Sequence, residues 1–415
     1  MTTNSFDKPP VPRKTAVATL AVVMLAAAVA QGYGRFTYGV VLPDVREDLL
    51  DGSNTLAGLL GTANTFAYLA GALLVGSLGR LIRPAGWLRI GIVLSSAGIL
   101  GAALAPNGLV LAICLVVMGV GGASIWIPSP GIATTVVPVR WRGLAVGMMG
   151  AGVGVGIVST GQIANASGDA PDAWRSVYGI EFGVALVALV LVYAVLRHHR
   201  GEVSASGGFG GFGVLSTVEG WRPITLCYTV YGFGYLLIVA FLVARLEDDA
   251  GWSSGRASAM FTLLGACTLV GGIGAGRLSD WAGRRHTLMV GFLSFSGSAL
   301  LILTGDTVWV VIGVFGAGLL FSGLPTVITA YIIDRTTPTT YGPSYAAATF
   351  SFGMAQVMAP QAGGAIADWR GSFTSVFVLS AIVMATGSII ASRLPHDHPA
   401  ARRAARSEQT QRQAS

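Results

Sequence analysis

The chain has 415 residues, of which 53% are hydrophobic and 11% charged, with a net charge of +7 and a mean hydropathy of +0.67. That leaves too little polar surface for a domain bathed in water on all sides, and it excludes an ordinary soluble globular protein. The positive balance needs no nucleic acid to explain it, because the basic residues cluster between apolar runs.

Twelve apolar stretches of roughly 20 residues can be marked off, each long enough to cross about 30 Å of hydrocarbon. They lie at 16–41, 55–79, 87–105, 108–137, 143–166, 174–196, 223–244, 257–278, 287–304, 307–332, 343–366 and 373–392. Unpaired backbone groups are costly in lipid and these runs lack the alternation of barrel strands, so an all-α membrane protein is predicted. The first run is too long for a signal-peptide core and is followed by eleven more, so it is expected to be retained as a helix.

The first span carries Gly32-Tyr33-Gly34-Arg35-Phe36, and 200 residues later Gly232-Phe233-Gly234-Tyr235-Leu236 answers it. Gly119, Gly121 and Pro128 are matched by Gly316, Gly318 and Pro325, and Gly143, Gly154 and Gln162 by Gly342, Gly353 and Gln361. Two copies of one six-helix unit are therefore expected, and related halves in a membrane protein usually meet at a midplane binding site. The organisation predicted is a tail at 1–15, a six-helix bundle at 16–196, a Gly- and Ser-rich linker at 197–221, a second bundle at 222–393 and a tail at 394–415.

Arg35 stands inside the first span, where a guanidinium is costly unless it lines a cavity or has a partner. One reading is that it grips an anionic group of a substrate through paired hydrogen bonds. The other is an internal ion pair with Glu181, the only acidic residue within the spans and the sole candidate there for carrying a coupling proton. The two coexist if such a pair opens on binding. Tyr33, Phe36, Asn64, Trp126, Tyr231, Tyr235 and Gln356 complete the candidate substrate cavity. Tyr235 gains weight because the repeat sets it opposite Arg35, and Trp126 because it precedes Pro128 and Pro130, which disturb the fourth helix.

With the N-terminus on the inner side, only Arg35, Arg46, Arg175, Arg245, Arg256 and Arg370 of the 26 basic residues fall outside the inner segments. Both termini are thus expected to be cytoplasmic, in a multi-pass protein of the cell membrane, with the basic tail facing anionic lipid. Cys114, Cys227 and Cys267 sit at unrelated spacings and read as packing residues. Every histidine falls in an inner segment, and no span holds paired carboxylates, a His/Asp set or metal-ligand spacing. Catalysis, a metal and a cofactor are not implied. No phosphate-binding G-x-x-x-x-G-K is present, so ATP is not expected to drive the protein.

Gly276-Arg277-Leu278-Ser279-Asp280-Trp281-Ala282-Gly283-Arg284-Arg285, between the eighth and ninth spans, resembles the G-x-L-S-D-x-x-G-R-R loop of the major facilitator superfamily. The resemblance covers nearly the whole chain and implies two six-helix bundles, alternating access and secondary transport of a small molecule within the bilayer, by a unit able to work as a monomer. It marks Gly276, Asp280, Gly283, Arg284 and Arg285 as gating residues. Asp280 is expected near the N-terminus of the eleventh helix, opened by Gly342-Pro343, where the helix dipole attracts a carboxylate. The pattern also departs from the family: Arg80 occupies the aspartate position in the first half, Leu115 replaces the arginine of many proton-coupled members, and the fifth helix lacks the Gly-Pro of drug/proton antiporters. A small organic anion is the expected cargo, with export of hydrophobic or antibiotic-like compounds as the alternative.

Overall fold

The computed structural model describes residues 12–78, 81–138, 141–168, 172–197 and 211–395. Most of each tail, most of the linker, and Arg80 lie outside these. Twelve long helices follow one another: α1 (Arg13–Leu49), α2 (Asn54–Leu78), α3 (Pro84–Ala103), α4 (Gly108–Thr135), α5 (Arg142–Ser167), α6 (Ala173–Leu196), α7 (Trp221–Asp249), α8 (Ser254–Ala282), α9 (Arg284–Leu303), α10 (Thr307–Asp334), α11 (Pro338–Arg370) and α12 (Thr374–Ala391). Eleven are apolar enough by composition to cross a membrane. The other, α11, has 33 residues, ample to span, but is more polar because it runs through the middle of the molecule between α2 and α7.

The described part of the linker includes a helix of 5 residues, Gly211–Leu215, seated on α11, where Phe212 meets Phe350 edge to face at 6.2 Å. Glycine, Ser and Phe there do not mean free coil, since an aromatic ring finds an apolar surface to cover.

The repeat is structural. A Cβ on Gly119 of α4 would stand 2.4 Å from the Asn64 carbonyl of α2, and one on Gly318 of α10 would stand 2.6 Å from the Leu264 carbonyl of α8. Asp48 at the end of α1 accepts the Trp174 indole N–H at the start of α6 at 3.2 Å, and Asp249 at the end of α7 accepts the Phe373 amide at the start of α12 at 2.9 Å.

Between the halves, α2 lies along α11 and α5 along α8, with glycine at each close approach. Gly58 would put a Cβ 2.3 Å from the Pro360 carbonyl, Gly364 one 2.1 Å from the Asn54 carbonyl, and Gly161 one 2.3 Å from Thr262 Oγ1. These contacts occupy one end of the molecule, from Asn54 to Leu69 on α2 and from Asn165 to Gly154 on α5. Toward the other end, Gly143, Gly147, Gly150, Gly274 and Gly342 have nothing within 4 Å of a Cβ position. The halves are closed at the Asn54 end and part toward the end where α1 begins and α12 stops.

Charged contacts across the halves stand at the closed end. Arg46 of α1 forks onto Asp248 of α7, with Nη2 donating at 3.2 Å, and also donates to Asn54 Oδ1 at 2.9 Å. Asp368 of α11 accepts the amides of Asn54 at 2.9 Å and Thr55 at 2.7 Å, capping the N-terminus of α2. Partial burial works to raise the Asp368 pKa, but the hydrogen bonds from Thr55 and Asn54 outweigh it and hold the carboxyl below its ordinary value.

Asp368→Asn is expected to loosen the closed end by about 0.3 to 1 kcal/mol, the worth of an exposed carboxylate at a helix N-terminus. In a background without Cys114, Cys227 and Cys267, labelling of Leu236→Cys by an impermeant thiol reagent should then rise about two- to five-fold. Because closure lowers the Asp368 pKa, its contribution is complete above the ordinary value of about 3.8 and fades as pH falls through the lower value of the closed form. Labelling of Leu236→Cys with Asp368 intact, taken relative to a free thiol at the same pH, should therefore stay flat between about pH 5 and pH 8, and a rise of that ratio in the window would show that Asp368 is not the latch.

Candidate functional site

The first helix is not a regular α-helix. Residues Ala28–Phe36 form a π-helical segment of 9 residues between α-helical ends, in a run holding Gly32 and Gly34. Glycine lets α1 pack backbone to backbone on α5, since a Cβ on Gly32 would fall 2.5 Å from the Gly156 Cα. The widened turn leaves carbonyls without regular helical donors. Asn64 of α2 serves one of them, its Nδ2 donating to the Gly34 carbonyl at 3.0 Å and to the Leu115 carbonyl of α4 at 2.7 Å. Both amide hydrogens are thereby spent on backbone.

Arg35 closes the π-helical segment and reaches across to the other half. Its Nη2 donates to Gln356 Oε1 of α11 at 2.7 Å, and its Nη1 to Gln31 Oε1, one turn back, at 3.4 Å. The guanidinium lies over the Tyr68 ring at 4.9 Å and beside Phe36 at 5.7 Å. Gln356 passes the chain on by donating to the Tyr235 hydroxyl of α7. Among the described residues Arg35 has no ion pair, and its Nε has no hydrogen-bond partner.

An aromatic wall from α7, α10 and α11 backs this polar chain. Tyr231 and Tyr235 stack at 4.8 Å, Tyr228 and Phe352 at 4.4 Å, and Phe321 meets Tyr235 edge to face at 5.2 Å and Phe36 at 5.6 Å. Tyr231 donates to the Phe321 carbonyl. On the closed side of Arg35 a cavity of about 30 Å³ remains between Tyr38, Gly61, Leu236 and Pro360. That holds a water or two. An organic solute needs roughly 300 Å³ or more, so the halves must part around Arg35 to admit one.

Of the residues singled out by sequence, Arg35, Phe36, Tyr231, Tyr235 and Gln356 come together. Asn64 borders the cavity but works as a backbone clasp. Tyr33 turns away to α5, its hydroxyl 3.0 Å from Ser159 Oγ. Trp126 ends the regular part of α4, eight residues beyond Met118, which is level with Gly34; that is about 12 Å along the helix. It does not join the cluster. The helix does break after it, and the Ser129 hydroxyl takes up the Ile125 carbonyl at 2.6 Å.

The expected pair between Arg35 and Glu181 is not formed. Glu181 is fully buried inside the first bundle, where Oε1 accepts the hydroxyls of Thr37 at 2.7 Å and Thr160 at 2.6 Å. Thr37 follows Arg35 by two positions, about 200° around the helix axis, and their side chains therefore leave on opposite faces. Gln31 and Tyr68 take the place the carboxylate was expected to fill. The signal for Gln31 was present in its spacing of one helical turn from Arg35.

The loop motif also differs from its expected role. Arg284 is buried in the second half, with Nη2 2.6 Å from Asp280 Oδ1, Nε donating to Asp334 Oδ2 at 3.0 Å, and Nη1 donating to Ser279 Oγ. Gly276 offers its carbonyl to the same Arg284, and Gly283, at φ +91°, makes the corner into α9, with Arg285 half-buried in the first turn. This clasp ties α8, α9 and α10 of one half together. Its contacts to Asp280, Asp334 and Ser279 stay within one half: α8 packs along α5, not α11, and α11 begins at Pro338 with its own cap from Thr337.

The family model described as "Uncharacterised MFS-type transporter YbfB" matches residues 27–392. A "Chloramphenicol resistance protein" of Streptomyces lividans is 27% identical over 345 residues, covering 81% of this chain and 86% of the relative. Among solved structures, a D-xylose-proton symporter superposes with a TM-score of 0.72 at 16% identity, over 92% of this chain and 98% of the other. A bacterial homologue of the human lysosomal transporter Spinster, in an inward-facing and unoccupied conformation, gives 0.70 at 16% identity, over 92% and 95%. At such identity the structures establish a shared fold.

Two substitutions separate a ligand site from a structural one. Gln356→Leu leaves the guanidinium and Tyr235 short of a partner and should cost about 1.5 to 3 kcal/mol. Arg35→Gln removes a charge that no carboxylate balances and should cost less than about 1 kcal/mol while abolishing transport. Thermal unfolding in detergent checks both, and a larger loss for Arg35→Gln than for Gln356→Leu would make Arg35 a structural residue.

Proposed function

The chain belongs to the MFS-type transporter family, and from that premise we propose that it carries a small organic anion across the cell membrane by alternating access, with Arg35 receiving the anionic group. The observation that carries the reading is the guanidinium at the meeting of the two halves, held by amide oxygens and ring faces and left without a carboxylate. Amide oxygens and π faces orient an arginine without neutralising it, so its charge remains available to an anion entering between the halves. Tyr231, Tyr235 and Phe352 offer stacked apolar faces beside it, suited to the body of an organic solute.

Gating follows from the contacts between halves. Closure at the Asn54 end uses Arg46, Asp368 and the glycine-lined crossings, while the Arg284 clasp keeps the second half rigid as it rocks. The excess of basic residues at the open end supports a topology with both termini cytoplasmic, which makes this conformation open to the inside.

A second reading is export of neutral, hydrophobic or antibiotic-like compounds. It is favoured by the full-length similarity to a protein named for chloramphenicol resistance and by the aromatic wall.

A thermal-shift screen of the purified protein against benzoate, phthalate and gluconate, with chloramphenicol and tetraphenylphosphonium as counterparts, tests the two. A ligand at about 100 times its Kd stabilises by roughly 2.7 kcal/mol. Stabilisation by an anion that vanishes in Arg35→Gln is expected. Stabilisation by chloramphenicol or the lipophilic cation, unchanged in that variant, would replace the first reading with the second.

A further inference from the structure

Glu181 is a group that the anion site does not use. It is completely buried, and α3, α5 and the π-helical part of α1 surround it. A carboxylate taken out of water needs a cation or a full set of donors, and an ionised one with neither is costly by several kcal/mol. Neither is present. Arg35 turns to α11; Arg89 of α3 donates to the Leu196 carbonyl near the far end of α6; Arg175, at the other end, binds Asp48 and Asp172; Arg142 opens α5 beyond Thr160 by five turns. The titratable neighbours are Tyr33 of α1 and Tyr178 one turn back on α6, with Tyr38 and Cys114 beyond Tyr178.

Counting hydrogens points the same way. Glu181 Oε1, Thr37 Oγ1 and Thr160 Oγ1 form a triangle with sides of 2.7, 2.6 and 3.0 Å. Two hydroxyls supply two hydrogens to its three contacts. With both hydroxyls aimed at Oε1 the Thr37–Thr160 contact lacks a hydrogen; a hydrogen on Oε1 supplies it, Oε1 then accepting from one threonine and donating to the other, so that each oxygen donates once and accepts once. Meanwhile Oε2 has no partner at all, as suits the carbonyl oxygen of a neutral acid better than half of a carboxylate.

We propose that Glu181, with Thr37 and Thr160, is a proton-binding site that couples proton movement to the rocking of the two halves. One proton converts the carboxylate to the acid when α1, α5 and α6 are packed as here. It leaves to water when α1 shifts and water reaches the carboxyl in place of the Thr37 hydroxyl, since loss of that donor by itself would favour the acid. Thr37 is two residues from Arg35 on one helix, so a displacement of α1 that changes the anion site also changes the carboxyl's donors.

The inference rests on the alternating-access reading, and its test needs no transported substrate. Infrared spectroscopy of the purified protein, titrated from about pH 5 to about pH 9, follows the carbonyl stretch of a buried carboxylic acid. The band is expected in the unsubstituted protein at neutral pH and absent in Glu181→Gln, whose amide still accepts from both threonines. The same titration is run on Gly58→Trp and, as a second variant in case the first fails to fold, Gly364→Trp. Either side chain would collide with α11 or α2 and prop the Asn54 end open.

A midpoint differing by about one pH unit or more between propped and closed protein, a tenfold change in proton affinity, is the expected result. An absent band, or one that survives Glu181→Gln, would overturn the assignment. Identical midpoints would reduce Glu181 to a static buried acid, and loss of the band on adding sodium at fixed pH would make the cluster a metal-cation site instead. If the anion screen fails while the band shifts, the cargo reading falls and the proton site stands.

Discussion

A guanidinium in the middle of an apolar bundle, with no carboxylate among the described residues to balance it, is the constraint to which the rest of the molecule answers. Its Coulombic field is strong where water is scarce, so neighbours must solvate it without cancelling it. Gln356 and Gln31 supply oxygens, Tyr68 supplies a ring face, and the π-helical turn delivers Arg35 to the plane where the halves meet. That turn in turn requires Gly32 for its contact with α5 and Asn64 for a carbonyl the regular ladder does not serve. The cost of burying the charge is spread over both halves, and the site is coherent only when they touch.

Charged groups elsewhere divide into two kinds. Arg46 with Asp248 and Asp368 with the start of α2 join halves that must separate; the Arg46 guanidinium is buried and its Asp248 partner only partly exposed, while Asp368 is open to solvent, where a charged contact is worth little. Arg284 with Asp280 and Asp334 joins helices that move together, and its guanidinium is buried, where losing one partner is severe. Burial does not separate the two guanidinium pairs; what separates them is the mechanical task, one joining the halves and the other lying within one half. Glycine follows it as well: the crossings of α2 with α11 and α5 with α8 bring backbones together without interlocking side chains, a surface that can slide or part at small cost.

Much of this was legible in the chain. Hydropathy gave the twelve helices to within a few residues, save that α1 and α11 run well past their apolar cores, since polar ends such as Asp44 to Asp48 and Ala367 to Arg370 extend a helix without adding to its hydropathy. The offset of 200 set Tyr235 across from Arg35, and they meet through Gln356. What the sequence did not reveal is rotation about each helix axis. Thr37 is two positions on from Arg35, yet that turns one toward α11 and the other toward Glu181, so the acid and the guanidinium expected to pair did not. Asp280 was misplaced for a related reason: the motif names the residues, and only packing decides that α8 runs beside α5 rather than α11. Trp126 failed on height along its helix, which an aromatic residue beside a proline does not encode.

The opposite faces of α1 are what make one helix able to serve two sites. On one face Arg35 binds across the interface; on the other Thr37 holds Glu181 inside the bundle. A regular α-helix transmits a rotation uniformly, whereas a π-helical segment can return to α-helical register by moving one residue, which turns the side chains beyond it by roughly 100°. The segment ends at Phe36, between the residue that faces the anion site and the residue that faces the acid. A ligand that draws Arg35 away from Gln356 therefore acts at the point where register is softest, and the Thr37 hydroxyl has to follow. Removing one donor from Oε1 leaves the carboxyl less well bonded in either form, and water reaching it through the opened half then decides whether the proton stays. Linkage requires the converse: the state of Glu181 biases the position of Arg35 by the same free energy, so the two sites influence each other although no contact joins them.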